Sequence, residues 1–215
     1  MWRDRAEAGR ALGEDLVRTG YAERDDVVVL GIPRGGVEVA RGVADALAAP
    51  LDVVVVRKVG HPGNPEFAAG SVDPDGNVYE NPGAGVSRDG LTAAAGVEHA
   101  ETLRRLAEYR GQRPAPELAE RTVIVVDDGI ATGLTALAAI RWLRSRGARR
   151  VVLASPVVAP GALASLAPEA DAIIALSTPG GFRAVGAFYE HFPQLSDADV
   201  AELLAAGSGV RVPNR

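Results

Sequence analysis

Apolar residues along this 215-residue chain gather into short unbroken runs, separated by stretches where they recur every three or four positions. The runs over residues 27–33, 51–56, 123–126, 149–158 and 171–176 are rich in Val, Ile and Leu. A strand that is apolar on successive residues has no face to offer to water, so it belongs in a parallel sheet covered on both sides. Between the runs, the spacing predicts a helix over 3–18, with Ala6, Leu12, Leu16 and Val17 near one face and Gly20 as a stop. Further helices are predicted over 37–48, over 136–147 and over 161–166. The helix over 91–110 is expected to turn Val97, Ala100, Leu103, Leu106 and Ala107 toward the core. A final surface helix over 197–206 has Ser196 at its N-cap position. Strand and helix alternate, which predicts an α/β fold: a mostly parallel twisted sheet flanked by helices, with right-handed crossovers.

Residues 60–90 break this rhythm, being rich in Gly, Pro and Asn. Within them, 67–72 and 77–79 can pair as a hairpin across Asp73-Pro74-Asp75-Gly76, a strong turn sequence. The flanks of the hairpin are expected to be mobile. No internal repeat or second domain boundary is visible, so residues 1–215 are expected to form one domain.

Composition narrows the chemistry. No apolar run reaches 18 residues, and the amphipathic start is too charged for a signal peptide, so a cytoplasmic, membrane-free protein is expected. With no cysteine there is no disulfide, no thiol nucleophile and no Cys-ligated zinc. His61, His99 and His191 are far apart and lack HExxH spacing, which favours surface or packing roles. A net charge of −5 and a pI near 5.3 argue against broad nucleic-acid binding. Of 23 basic residues only Lys58 is lysine. A chain that otherwise uses Arg throughout has either kept a compact ammonium where one is wanted, or kept it by chance.

The most informative stretch is VIVVDDGIATGLT, residues 123–135. Its strand ends in Asp127 and Asp128 at a carboxyl edge, where open α/β sheets bind ligands. Small residues and two hydroxyls then surround a helix N-terminus, whose free amides and dipole favour a phosphate. Two carboxylates beside a phosphate seat suit a ligand that is both polyol and phosphate, such as a ribose 5-phosphate. The other reading is an Asp-rich turn and a capped helix in an unrelated doubly wound protein. After 27–33, Pro33-Arg34-Gly35-Gly36 repeats the logic: two glycines admit close backbone approach, and Arg34 presents a planar fork to phosphate oxygens.

With its loop, the stretch over 123–135 resembles the motif by which type I phosphoribosyltransferases bind 5-phosphoribosyl 1-diphosphate (PRPP). The resemblance implies that fold, with a core over about 22–177 and a small hood over 178–215 to which the N-terminus could contribute. It implies that Asp127 and Asp128 hold the ribose hydroxyls. Gly129, Ile130, Ala131, Thr132, Gly133, Leu134 and Thr135 would form the loop that seats the 5-phosphate. Arg34, Gly35 and Gly36 resemble the family's pyrophosphate loop, which often carries a non-proline cis peptide, here expected between Arg34 and Gly35. Arg57 and Lys58, expected at the carboxyl end of the third strand, resemble a dipeptide that contacts pyrophosphate. Phe182, Phe188 and Tyr189 are either a ring-binding wall for the acceptor or the hood's own packing. Mg²⁺ is expected to arrive on PRPP with water, with no protein ligand of its own, and a homodimer is expected.

The implied reaction displaces pyrophosphate from C1 of PRPP by a nitrogen nucleophile, catalysed by positioning and electrostatics. Ala131 stands where the 6-oxopurine enzymes carry an acidic residue, which argues against hypoxanthine or guanine as acceptor. Gly129 replaces the usual aliphatic residue, and Glu66 is a conjectural base. Two other readings are a PRPP-binding regulatory protein with little catalysis, and an unrelated phosphate-binding α/β protein. The last is weakened by the absence of GxxxxGK[ST] and GxGxxG patterns.

Overall fold

Each apolar run becomes a strand, and the turns between them set the order of the elements. The computed structural model describes residues 1–61, 63–81 and 83–206, apart from the side chains of Pro65 and Glu66. In chain order the elements are α1 (Arg5–Arg18), β1 (Val27–Gly31), α2 (Gly35–Leu47), β2 (Leu51–Val53), β3 (Arg57–His61), β4 (Asn64–Val72), β5 (Val78–Glu80) and α3 (Arg88–Arg110). There follow β6 (Thr122–Val126), α4 (Leu134–Ser145), β7 (Arg150–Val157), α5 (Pro160–Leu166), β8 (Ala172–Ser177), a 3₁₀ turn (Val185–Phe188) and α6 (Asp197–Ala206). Among the described residues, five strands form a wholly parallel sheet in the order β2-β1-β6-β7-β8. The order reverses between β1 and β6, so the connections leaving their carboxyl ends diverge and open a crevice.

Both faces of the sheet are covered, as the unbroken runs require. Val27, Val29, Ile124, Val126, Val152 and Ala154 pack with Leu12 and Leu16 of α1, Val39 and Val43 of α2, and Val200 and Leu204 of α6. Val28, Leu30, Val123, Val125, Val151 and Leu153 pack on the other side with Ile140 and Leu143 of α4 and Leu166 of α5. Full burial of each such side chain is worth about 1.5–3 kcal/mol. Among the described residues no helix is long and apolar enough to cross a membrane.

The structure corrects two expectations. β2 ends at Val53, and Arg57 and Lys58 instead open β3, part of a small antiparallel sheet β3-β4-β5 in which Arg57 pairs with Val72. The chain leaves the main sheet over 54–56, because those residues bridge the two sheets. On α3 the buried residues are Leu91, Ala95, Thr102 and Tyr109, whereas Val97 is 73% exposed, Leu103 is 49% exposed, and Ala100 and Ala107 face solvent. Of the expected face only Leu106 packs on the core. Tyr109 donates to Asp197 of α6 at 2.6 Å, a tertiary bond that fixes the rotation, and Thr102 donates to the Glu98 carbonyl one turn back at 3.0 Å, so both can be buried. The hairpin is formed as expected, and Asp73 organises it. Its carboxylate accepts from the amides of Asp75 and Asn77, from Asn77 Nδ2 and from the Tyr79 hydroxyl, all within 2.8–2.9 Å.

Candidate active site

The crevice at the strand-order reversal holds a cavity of about 340 Å³. Ile32 to Gly35 approach from the end of β1, and Asp127 and Asp128 from the end of β6. Val55, Val56, Arg57 and Lys58 close one side, with Arg105 of α3 and Thr135 of α4. Arg34, Gly35, Arg57, Lys58, Asp127, Asp128 and Thr135, far apart in sequence, thus share one wall. The rest of the loop lies behind it: Ile130 and Gly133 are buried, while Ala131 and Thr132 are exposed. Gly133 has φ of 80° and α4 begins without a side-chain cap, leaving its first amides to solvent or ligand. The side chain of Glu66 lies outside the described residues, as do residues 207–215 of the predicted hood.

The acid pair is held from three directions. The Asp128 amide donates to Asp127 Oδ1 at 2.9 Å, Arg5 Nε donates to Asp128 Oδ2 at 2.7 Å, and the Tyr189 hydroxyl donates to the Asp128 carbonyl at 2.6 Å. Burial, then the neighbouring Asp128 charge, pushes the Asp127 carboxyl well above the ordinary carboxylate range, against the pull of Lys58. The Asp128 carboxyl is raised as well, burial outweighing its bond to Arg5.

Glycine is required beside this pair. A Cβ on Gly35 would collide with Asp128 Oδ2, and one on Gly36 would stand 2.7 Å from the Val126 carbonyl oxygen. α2 begins at Gly35, two residues earlier than predicted, so its first turn packs directly on the acids. The Pro33–Arg34 peptide is cis, one bond before the expected Arg34–Gly35 position.

The cations facing the acids differ in freedom. Arg57 Nε donates to Glu98 at 2.5 Å, Arg105 Nε donates to Glu101 at 2.8 Å, and Arg34 stands 3.9 Å from Asp197. The Lys58 side chain is exposed, and among the described residues its ammonium has no hydrogen bond or ion pair. Arg105 on the cavity lining and Arg5 on Asp128 are the residues of the candidate site that the sequence did not point to. Arg105 is one more arginine on a charged helix, and the partner of Arg5 lies 123 positions away, so no local pattern marks either.

The C-terminal aromatics divide. Phe182 and Phe188 pair with ring centroids 5.4 Å apart and stay half-buried. Tyr189 is buried, stacked on Phe192 at 4.9 Å and 6.0 Å from Trp2, and none of the three lines the cavity. Gly129 has a structural counterpart here, because Val185 occupies the space its Cβ would need.

Fold and site define a doubly wound α/β protein with paired carboxylates facing a cationic wall at its switch point. The family model described as "Phosphoribosyl transferase domain" matches residues 2–171, and the chain belongs to that family. It is 43% identical over 209 residues to the "Putative phosphoribosyl transferase Rv0571c" of Mycobacterium tuberculosis (strain ATCC 25618 / H37Rv), a match covering 95% of this chain and 46% of that protein. The chain thus spans about half the length of that relative. A "Uracil phosphoribosyltransferase" of Clostridioides difficile (strain 630) is 39% identical over 102 residues, 47% of this chain and 46% of its own length. Among solved structures, TT1426 from Thermus thermophilus matches with a TM-score of 0.83 and 43% identity, covering 97% of this chain and 100% of that one.

Proposed function

We propose that this site transfers the 5-phosphoribosyl group of PRPP to a nitrogen nucleophile of a nucleobase or related compound, with release of pyrophosphate. The observation that carries the reading is the placement of Asp127 and Asp128 between the uncapped N-terminus of α4 and the wall of Arg34, Arg57, Lys58 and Arg105. A ribose ring lying over the acids would direct its 5-phosphate to the amides of 131–135 and its diphosphate to the cations. As C1 loses the diphosphate, positive charge grows on the ring and negative charge on the leaving oxygens. The carboxylates oppose the first, and Arg34, Arg57 and Lys58 the second, without a covalent protein nucleophile. Among the described residues no cluster of three Asp, Glu or His side chains offers a metal cage. In this reading a Mg²⁺ ion would be held by diphosphate oxygens and waters and when bound would offset leaving-group charge. The relatives named uracil phosphoribosyltransferase support a nucleobase acceptor.

Calorimetry with PRPP and Mg²⁺, followed by pyrophosphate release against a panel of purines, pyrimidines and amines, tests the reading. Micromolar binding with release for one acceptor is expected, and Asp127→Asn/Asp128→Asn together should weaken PRPP binding at least tenfold, about 1.4 kcal/mol. Unchanged affinity in the double variant would sink the role given to the acids. Binding without release for any acceptor would favour a PRPP-responsive regulator.

A further inference from the structure

Arg5 is the one buried arginine among the described residues. Two of its guanidinium nitrogens are hydrogen-bonded: Nε donates to Asp128 Oδ2 at 2.7 Å, and one terminal nitrogen donates to the Pro193 carbonyl at 2.7 Å. Its central carbon lies 3.8 Å from the centroid of the Phe192 ring, and the Glu38 carboxylate stands 4.0 Å away. The backbone around it is tied to the same C-terminal segment. The Trp2 amide donates to the Phe188 carbonyl, the Glu190 amide to the Trp2 carbonyl, and the His191 amide to the Arg3 carbonyl, all at 2.8–2.9 Å. Asp4 caps α1 by accepting from the Glu7 amide, which fixes the helix turn that carries Arg5.

A residue needed only to fill this space would not carry a charge, because burying a guanidinium is costly unless it is paired. The planar fork can serve a carboxylate and a carbonyl at once while its face lies against a ring, which a lysine cannot do. Gly35 is adapted to the same pair, since a Cβ there would also stand 2.7 Å from Arg5 Nε. Asp127, by contrast, forms no ion pair with an arginine among the described residues, so the two acids have unequal tasks.

Resting on the transfer reading above, we infer that Arg5 is a positioning residue for the acid pair. It fixes the Asp128 carboxylate in one orientation and joins it, through Phe192 and Pro193, to the segment beyond β8. Seating of that segment and placement of the carboxylate then change together, which gives the N-terminal helix a part in forming the PRPP site.

Three variants test this: Arg5→Met, which keeps the apolar stem without charge or donors, Arg5→Lys, which keeps the charge without the fork, and Phe192→Leu, which removes the ring. PRPP affinity with Mg²⁺ is measured by calorimetry beside the melting temperature of each protein. Arg5→Met is expected to lose at least tenfold in affinity, and Arg5→Lys and Phe192→Leu about threefold each. A purely structural residue would lower the melting temperature and leave the affinity of the folded protein within twofold of wild type, and that result would overturn the inference. Should Arg5→Met fail to fold, the other two decide, and wild-type affinity in both would overturn it equally. Lack of PRPP binding by the wild-type protein would instead remove the transfer reading and this inference with it.

Discussion

At Asp127, function and stability pull in opposite directions. Burial and the neighbouring charge raise its carboxyl well above the ordinary range, so the folded state holds this proton more tightly than the unfolded one. Its contribution to stability is therefore complete in acid, below the unfolded value, and is lost as pH rises through the folded value. Ionising the buried carboxyl is therefore a net cost to the folded state. Asp127→Asn is expected to raise the melting temperature at neutral pH, because the amide has no charge to desolvate. The advantage should shrink toward zero near pH 4, about the ordinary carboxylate range. Thermal melts of both proteins across this interval check the sign, and a wild-type protein that is the more stable of the two at neutral pH would refute it. At this scale the sequence was legible wherever a residue type had one use. The Asp-Asp pair at a strand end could be read, and so could the need for glycine at 35 and 36, though both open α2 and what approaches Gly35 most closely turned out to be Asp128 and Arg5. Arg5 could not be read, because its partners arrive from β6 and from the far end of the chain.

Among the elements, the hairpin of β4 and β5 depends most on one side chain. Asp73 is fully buried and accepts four hydrogen bonds from the turn and from Tyr79. Asp73→Ala leaves those donors without an acceptor, at about 1–3 kcal/mol for each one that stays buried. Hydrogen exchange is expected to accelerate across 64–80 while β1, β6 and β7 keep their protection, whereas uniform acceleration would show that the hairpin is not a separate unit. The turn was legible because Asp-Pro-Asp-Gly has few other uses. The buried face of α3 was not, since the helix is nearly as apolar on the side of Val97 and Leu103 as on the side of Leu91 and Ala95, and periodicity alone does not choose between them. Tyr109 settled it through a hydrogen bond to Asp197, a partner that the sequence does not place nearby. The end of β2 was hidden for a related reason: six residues over 51–56 read as one strand, and the point where the chain departs for the second sheet carries no turn signal.

The whole molecule is acidic, with a net charge of −5, yet the crevice at the strand-order reversal is lined by Arg34, Arg57, Lys58 and Arg105 beside Asp127 and Asp128. Four cations against two carboxylates on this lining would draw a multiply charged phosphate ester here more than to the acidic surface elsewhere. Screening should expose this contrast. PRPP affinity is expected to fall at least threefold as salt is raised from about 0.1 M to about 1 M at fixed Mg²⁺, as the Debye length shrinks from about 10 Å to about 3 Å. Affinity independent of salt, measured by the same calorimetry, would show that the four cations do not face the ligand.

The contact between Val185 and Gly129 bears on how such a protein could be re-engineered. The missing Cβ of one segment is the seat of a side chain from the other, so the loop after β6 and the segment after β8 are fitted as lock and key. A C-terminal segment borrowed from a relative with an aliphatic residue at the position of Gly129 would leave a void here. The reverse graft would meet a clash. A graft that keeps this contact therefore has to move the two segments as one cassette.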